Sequence, residues 1–240
     1  MKSLWNTLIY HPLLNILVAL AAVMPGKSLG LAVIVLTILI RLLLFPISKR
    51  AIRSQYALRA LEPKVQAIKA KKLDKQEESR ALFQLYKEEK VNPFSGCLLL
   101  LIQLPILIAL YYVFINGINR PELLYSFISP EGIQPTLFGL SITAPSIVLA
   151  IFAALTQAVQ AFLTPKPPKP AESDKINFQS QLASSMSIQT RYVLPIIIFF
   201  IARNLAAAVS LYWVVSNLFS IGQEIYFRRL FKHKALIKQS

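Results

Sequence analysis

Apolar and polar positions follow one another in long blocks along this chain. Residues 4–24 are apolar but broken by Asn6, His11, Pro12 and Asn15, and the uninterrupted part, Ile16–Pro25, is short of the roughly 20 residues a bilayer span needs. Residues 1–27 therefore predict an interfacial amphipathic segment anchored by Trp5 and Tyr10, with an ordinary first span as the alternative. The next apolar block, 28–47, contains Arg41 as its only charge and is closed by Pro46. A second, 93–117, begins at Asn92-Pro93 and contains Gln103 and Pro105; a third covers 143–164. The last, 192–227, would be about 54 Å long as one helix, too long for a core of about 30 Å. Arg203-Asn204 interrupts it, which predicts a short span at 191–204 and another at 205–228.

The polar blocks differ from one another. In 48–92, Lys, Arg, Gln and Glu dominate, while Ile52, Tyr56, Leu58, Val65, Ile68, Leu82, Leu85 and Tyr86 recur at helical spacing. The pattern breaks around Lys71–Lys75, as in a hairpin of two antiparallel helices; no heptad persists to support one long coiled coil. Residues 118–142 connect the second and third spans. The 165–190 loop opens with the Pro-rich stretch 165–175, which favours extended, solvated chain and reads as a linker, and 229–240 is a basic tail. The expected fold is an all-α integral membrane protein with five transmembrane helices, an N-terminal interfacial helix and a cytoplasmic helical hairpin.

Composition agrees with a membrane protein. Of the 240 residues 55% are hydrophobic and only 15% charged, against about 25% in soluble domains. The net charge of +15 would suggest nucleic acid in a soluble protein. Here its placement follows the positive-inside rule instead. Of the 26 Lys and Arg, 12 fall in 48–92, three in 165–190 and five after residue 227, while Lys2, Lys27, Arg120 and Arg203 lie on the other side. The hairpin, the Pro-rich loop and the C-terminus are thus expected in the cytoplasm, and the N-terminus and 118–142 outside. One cysteine, Cys97, and two distant histidines, His11 and His233, leave neither a disulfide nor a zinc-type cluster to build, and no cofactor is expected. The N-terminus does not have the order of a cleaved signal peptide: Ala19-Leu-Ala21 sits inside the apolar run, not after it.

Arg41 is the costliest residue in this plan, since a guanidinium within a span costs from about 3 to more than 10 kcal/mol. It could snorkel, being about 9 Å from the cytoplasmic end of its helix, or pair with a buried acid, but no Asp or Glu lies mid-span. Polar residues on other spans favour a hydrated groove. Trp213, Ser216, Asn217, Ser220 and Gln223 recur every three or four residues. Thr156 and Gln160 share a face with Gln157 beside it, and Gln103 stands alone on the second span. Helix-to-helix hydrogen bonds, worth about 0.6 kcal/mol each, would explain one polar residue per helix better than a stripe. A transporter would show paired ionisable groups and an inverted repeat, and an intramembrane protease a nucleophile near a base; neither pattern is present.

Several segments in order resemble the YidC/Oxa/Alb family. Asn92-Pro-Phe-Ser-Gly-Cys through Gln103-Leu-Pro-Ile106, preceded by Tyr86-Lys-Glu-Glu89, resembles that family's entry into its second core span. Thr37-Ile-Leu-Ile-Arg41 with Leu44-Phe-Pro46 resembles the first, and Tyr212-Trp213 followed by Ser216-Asn-Leu-Phe-Ser-Ile-Gly-Gln223 the last. The resemblance covers about 28–228 and implies a non-enzymatic insertase, with a groove open to cytoplasm and lipid and closed to the outside. It implies Arg41 inside that groove, lined by Thr37, Trp213 and a third-span glutamine, either Gln157 or Gln160. The expected location is the bacterial plasma membrane. The expected partners are nascent membrane proteins and lipid, with the ribosome and the Sec translocon as candidates and no specific nucleic acid. The large periplasmic domain and first span of Gram-negative members, and the lipoprotein cysteine of many Gram-positive members, are not expected here. Its short tail implies little ribosome binding through that tail.

Overall fold

The computed structural model describes residues 2–71, 73–92, 95–117, 120–164 and 189–237. Most of the Pro-rich loop therefore lies outside the described residues. The chain begins with helix α1 (Lys2–Trp5), a π-helical stretch (Asn6–Tyr10) and α2 (His11–Val23). Pro12 has no N–H to donate and its ring crowds the preceding turn, so the wider π turn before it lets the helix continue. The same device recurs at Gln189–Val193, ahead of Pro195.

After a turn through Gly26, whose φ is 63°, Ser28 caps α3 (Leu29–Leu43) by accepting from the Leu31 N–H at 3.3 Å. The chain then bends by 61° into α4 (Phe45–Ala60), with Pro46 in its first turn. α5 (Glu62–Ala70) follows, and α6 (Lys75–Glu88) is capped by Asp74, which accepts from Glu77 N–H at 2.8 Å. Leu61, Val65 and Leu82 form a small buried cluster between α5 and α6, flanked by Ile68, Leu85 and Tyr86, with a Lys64–Glu89 ion pair at its edge. So little buried apolar surface opens cheaply. Amide exchange at Leu73 and Asp74 is expected to be fast relative to α3, and hydrogen-exchange mass spectrometry showing equal protection would contradict it.

α7 (Ser95–Tyr112) contains Pro105; α8 (Ile147–Leu163), α9 (Leu194–Ala202) and α10 (Ala207–Ile237) complete the helices. The described residues are mostly helical. The exception is a two-residue-per-strand hairpin, β1 (Thr136–Leu137) and β2 (Leu140–Ser141), which the sequence did not suggest. One core gathers α2, α3, α7 and the start of α10 around Leu14, Leu17, Val33, Leu110 and Tyr212. A second packs α8, α9 and α10 through Ala150, Ala153, Ile198, Ala202, Val209 and Trp213; its small residues let the backbones approach closely.

Residues 120–146 lie at the end of the bundle where α3 and α10 begin, and α4 leaves the opposite end. Asn15, 1% exposed, ties α2 to this loop: its Nδ2 donates to Leu123 O at 3.2 Å and its Oδ1 accepts from Tyr125 N–H at 2.7 Å. By length and composition Asn6–Val23 could cross a bilayer, as could α3 and α4 taken together. Ile102–Ile115, Ile147–Leu163 and Gln189–Ala202 are shorter apolar helices.

Candidate functional site

Three helices converge on Arg41. It lies in the last turn of α3, half-buried, one turn beyond Thr37. Thr37 is buried and donates its Oγ1 proton to Val33 O at 2.6 Å, which satisfies it locally. Across from α3, α10 presents Tyr212, whose phenol is within electrostatic reach of the guanidinium. The Tyr212 hydroxyl accepts a 2.7 Å hydrogen bond from Nε2 of Gln103 on α7. Ser216, one turn along α10, is fully buried; its Oγ adjoins the phenol but has no hydrogen-bond partner of ordinary geometry among the described residues. Arg41 itself has neither an acidic partner nor a side-chain hydrogen bond among the described residues. The result is a cation, a phenol, an amide and a hydroxyl in one place with donor capacity to spare.

The polar stripe on α10 divides between two neighbours. Tyr212 belongs to the core shared with α3, whereas Trp213, 8% exposed, is packed against Ala150, Ala153 and Ile198 in the α8–α9 core. Asn217 follows Trp213: its Nδ2 approaches Ala153 O at 3.4 Å and Thr156 Oγ1 at 3.3 Å. A helix turns about 100° per residue, so neighbours in sequence face different helices. Gln157 is buried and donates to Oε1 of the half-buried Gln160 at 3.1 Å, so the two amides form one unit on α8. Ser220 donates to Ser216 O at 3.0 Å.

A second polar cluster joins α4 to the far part of α10. Gln223 Nε2 donates to Ser48 Oγ at 3.0 Å, and the Tyr56 hydroxyl donates to Glu224 Oε1 at 2.7 Å. Phe45 and Phe227 rings pack alongside with centroids 5.7 Å apart. Burial, together with the bond to Glu224, holds the Tyr56 phenol well above its ordinary value. It therefore stays protonated, and a donor, beyond the pH at which a free tyrosine ionises. Tyr56→Phe leaves the buried Glu224 one donor short, an expected loss of about 1–3 kcal/mol. The measurement is thermal unfolding in detergent, and an unchanged midpoint would contradict the joint. At the end of α8, Thr164 O accepts from Nη2 of Arg191, in the turn before α9, at 2.7 Å, and the guanidinium lies 5.8 Å from the Phe162 ring, so a cation meets the C-terminal carbonyls.

No group of His, Cys, Asp and Glu that could hold a metal ion occurs among the described residues. The model of the family described as 60Kd inner membrane protein matches residues 20–234. The chain belongs to that family. Among its relatives, the membrane protein insertase YidC of Clostridium tetani is 37% identical over 216 residues, covering 88% of this chain and 87% of the relative. That of Ectopseudomonas mendocina is 36% identical over 201 residues, covering 83% of this chain and 31% of the relative. The chain thus spans about a third of the length of such longer relatives. Among solved structures, an active YidC insertase crystal structure with its first transmembrane domain resolved superposes with a TM-score of 0.56 at 25% identity, over 83% of this chain and 42% of the other.

The sequence singles out Trp213 where the structure places Tyr212 beside Arg41. Tyr212 stands one turn before Ser216 on the same face, which is the signal that would have found it.

Proposed function

We propose that this chain is a membrane protein insertase: it receives hydrophobic segments of nascent membrane proteins and passes them into the bilayer without a covalent step. The observation that carries the reading is Arg41, half-buried among polar side chains of three helices with no acidic partner among the described residues. A purely structural arginine in this position would be expected to have a carboxylate or backbone carbonyls around it. Thr37, Gln103, Ser216 and Ser220 line the groove near Arg41, with Gln157, Gln160, Trp213 and Asn217 along its α8 side. Water in that groove shortens the apolar path of a substrate's polar end.

The surface supports a lipid environment. Ile147, Ile151, Phe152, Leu155, Val159 and Phe162 on α8 are exposed, as are Ile196, Ile197, Phe200 and Ile201 on α9, while Asn15, Thr37, Gln157, Ser216, Asn217 and Gln223 are buried. A soluble protein does not expose apolar belts of that extent. In this reading α3, α7, α8, α9 and α10 span the bacterial plasma membrane and residues 1–27 lie at its outer surface. The α4–α6 unit and the C-terminus stand in the cytoplasm. Ribosome and Sec translocon are candidate partners at that unit.

Reconstitution tests the function directly. Vesicles carrying the purified chain should insert a single-span substrate that empty vesicles do not, and equal insertion by both would reject the proposal. Topology has its own test. Single cysteines at Lys71 and Glu131, with Cys97 replaced, are expected to react with an impermeant maleimide from opposite sides of the membrane. Labelling of both from one side would overturn the five-span arrangement.

A further inference from the structure

The β1–β2 hairpin holds a residue that its turn does not favour. Thr136 pairs with Ser141 and Leu137 with Leu140, so Phe138 and Gly139 are the two central residues of the turn. Both have positive φ, 48° at Phe138 and 83° at Gly139. Such a turn suits Asn-Gly or Gly-Gly; a bulky aromatic in the left-handed region is strained and uncommon. Phe138 gains no packing in exchange, being 86% exposed, and Leu140 is 74% exposed. A strained backbone holding a bare aromatic ring suggests a partner outside the chain.

The direction of the chain identifies that partner. Ser28 forms a parallel bridge with Gln134, and Leu29 N–H donates to Gln134 O at 2.9 Å. Ser28 Oγ donates to Thr136 O at 2.6 Å, and Leu137 packs on Gly30, two residues further along α3. Residues 134–137 therefore run alongside the first turn of α3 and in its direction. The return strand runs against α10: Ala208 N–H donates to Ile142 O at 2.8 Å and Ala207 N–H to Ala144 O at 2.9 Å. Both flanks put the Phe138-Gly139 turn farther along the bundle axis than the helix starts. It points toward the middle of the bundle, not away from it.

We propose that the Leu137–Leu140 turn is a lipid anchor, with Phe138 and Leu140 seated at the boundary between headgroups and acyl chains of the outer leaflet. This rests on the membrane reading of the exposed apolar faces, which begin a few residues after the return strand with Ile147 and Val148, both exposed at the start of α8. Extended chain advances about 3.3 Å per residue, which carries the tip to the depth where interfacial apolar groups reside, about 5–10 Å. The anchor fixes the loop across the starts of α3 and α10, to which its flanks are bonded.

The test uses the full chain in phospholipid vesicles, Cys97 replaced, with one cysteine at a time carrying an environment-sensitive fluorophore. Position 138 is the probe, Glu131 the aqueous reference and Phe152, on the exposed face of α8, the membrane reference. Blue-shifted emission at 138, quenched by lipids brominated near the carbonyl and unlike that at 131, is the expected result. Aqueous emission at 138 with a quenched probe at 152 overturns the anchor and leaves the spans in place. Aqueous emission at 152 as well overturns both. If labelling at 138 prevents folding, the same readout at 140 decides, because Leu140 is not one of the two residues with positive φ. Phe138→Asn, which suits the turn better, should fold normally yet shift the probe at 140 toward aqueous emission.

Discussion

Arg41→Ala should leave the protein folded and strip most of its insertion activity. If the arginine only snorkelled, its removal would be harmless or stabilising, since a costly charge leaves an apolar helix. If it attracts substrate, the loss is set by a charge–charge term. Two unit charges 4 Å apart at an effective dielectric of 20 interact by about 4 kcal/mol before desolvation. A net remainder of about 1.4 kcal/mol already means a tenfold change in capture. Arg41→Lys should keep much of the activity, because a point charge suffices although the planar fork is lost. Arg41→Glu should be the worst variant, and worst with acidic substrates. Insertion of a single-span substrate into vesicles loaded with each variant at matched levels is the measurement. Wild-type activity of Arg41→Ala across several acidic substrates would remove Arg41 from the mechanism.

Tyr212 separates attraction from architecture at the same place. Tyr212→Phe keeps the ring in the α3–α10 core and removes the oxygen that Gln103 binds. Gln103 then loses a neutral hydrogen bond, about 1 kcal/mol, while the charge of Arg41 stays. Insertion should fall far less in this variant than in Arg41→Ala. An equal fall would mean that the Gln103–Tyr212 bond, not the charge, is what the substrate needs.

The features legible in the sequence are those with local causes. Arg41 shows as one charge in an apolar run, and Pro46 marks the place where α3 gives way to α4. Arg203-Asn204 shows as a polar pair in a long apolar block, and the chain turns there between α9 and α10. The features that stayed hidden depend on contacts between distant residues. Spacing gathers Ser216, Asn217 and Ser220 into a stripe but does not reveal that the chain divides it, Tyr212 toward α3 and Asn217 toward α8. The Tyr56–Glu224 bond joins residues 168 apart, and only packing of α4 against α10 creates it. Pro12 misleads in the opposite sense. It reads as a break, yet a π turn before it keeps the helix continuous, as another does before Pro195.

Gly30 is a residue whose importance is hidden in sequence and whose replacement should disturb the seat of the loop on α3. It reads as one small residue in an apolar run, yet a Cβ there would sit 2.5 Å from Leu137 Cβ and 3.1 Å from Leu137 Cα. Neither atom is the free end of a flexible side chain, so the loop would have to move. Overpacking of this kind costs about 1–3 kcal/mol, against up to about 1 kcal/mol gained in helix propensity when Gly becomes Ala. Gly30→Ala should therefore lower stability modestly, and Gly30→Val, which adds bulk and gains less propensity, should lower it further. For a chain of this size each kcal/mol moves the unfolding midpoint by about 2–4 °C. Gly222 is the control, since nothing lies within 4 Å of a Cβ placed there, and Gly222→Ala should be neutral or stabilising. Leu137→Gly deletes the opposing Cβ, so it should destabilise alone but reduce the further penalty of Gly30→Ala. A loss at Gly30→Ala with none at Gly222→Ala, and coupling between 30 and 137 in the double-mutant cycle, are the expected thermal-unfolding results. A Gly30→Ala protein as stable as the parent would mean that the loop does not rest on α3, and the depth assigned to Phe138 would fall with it.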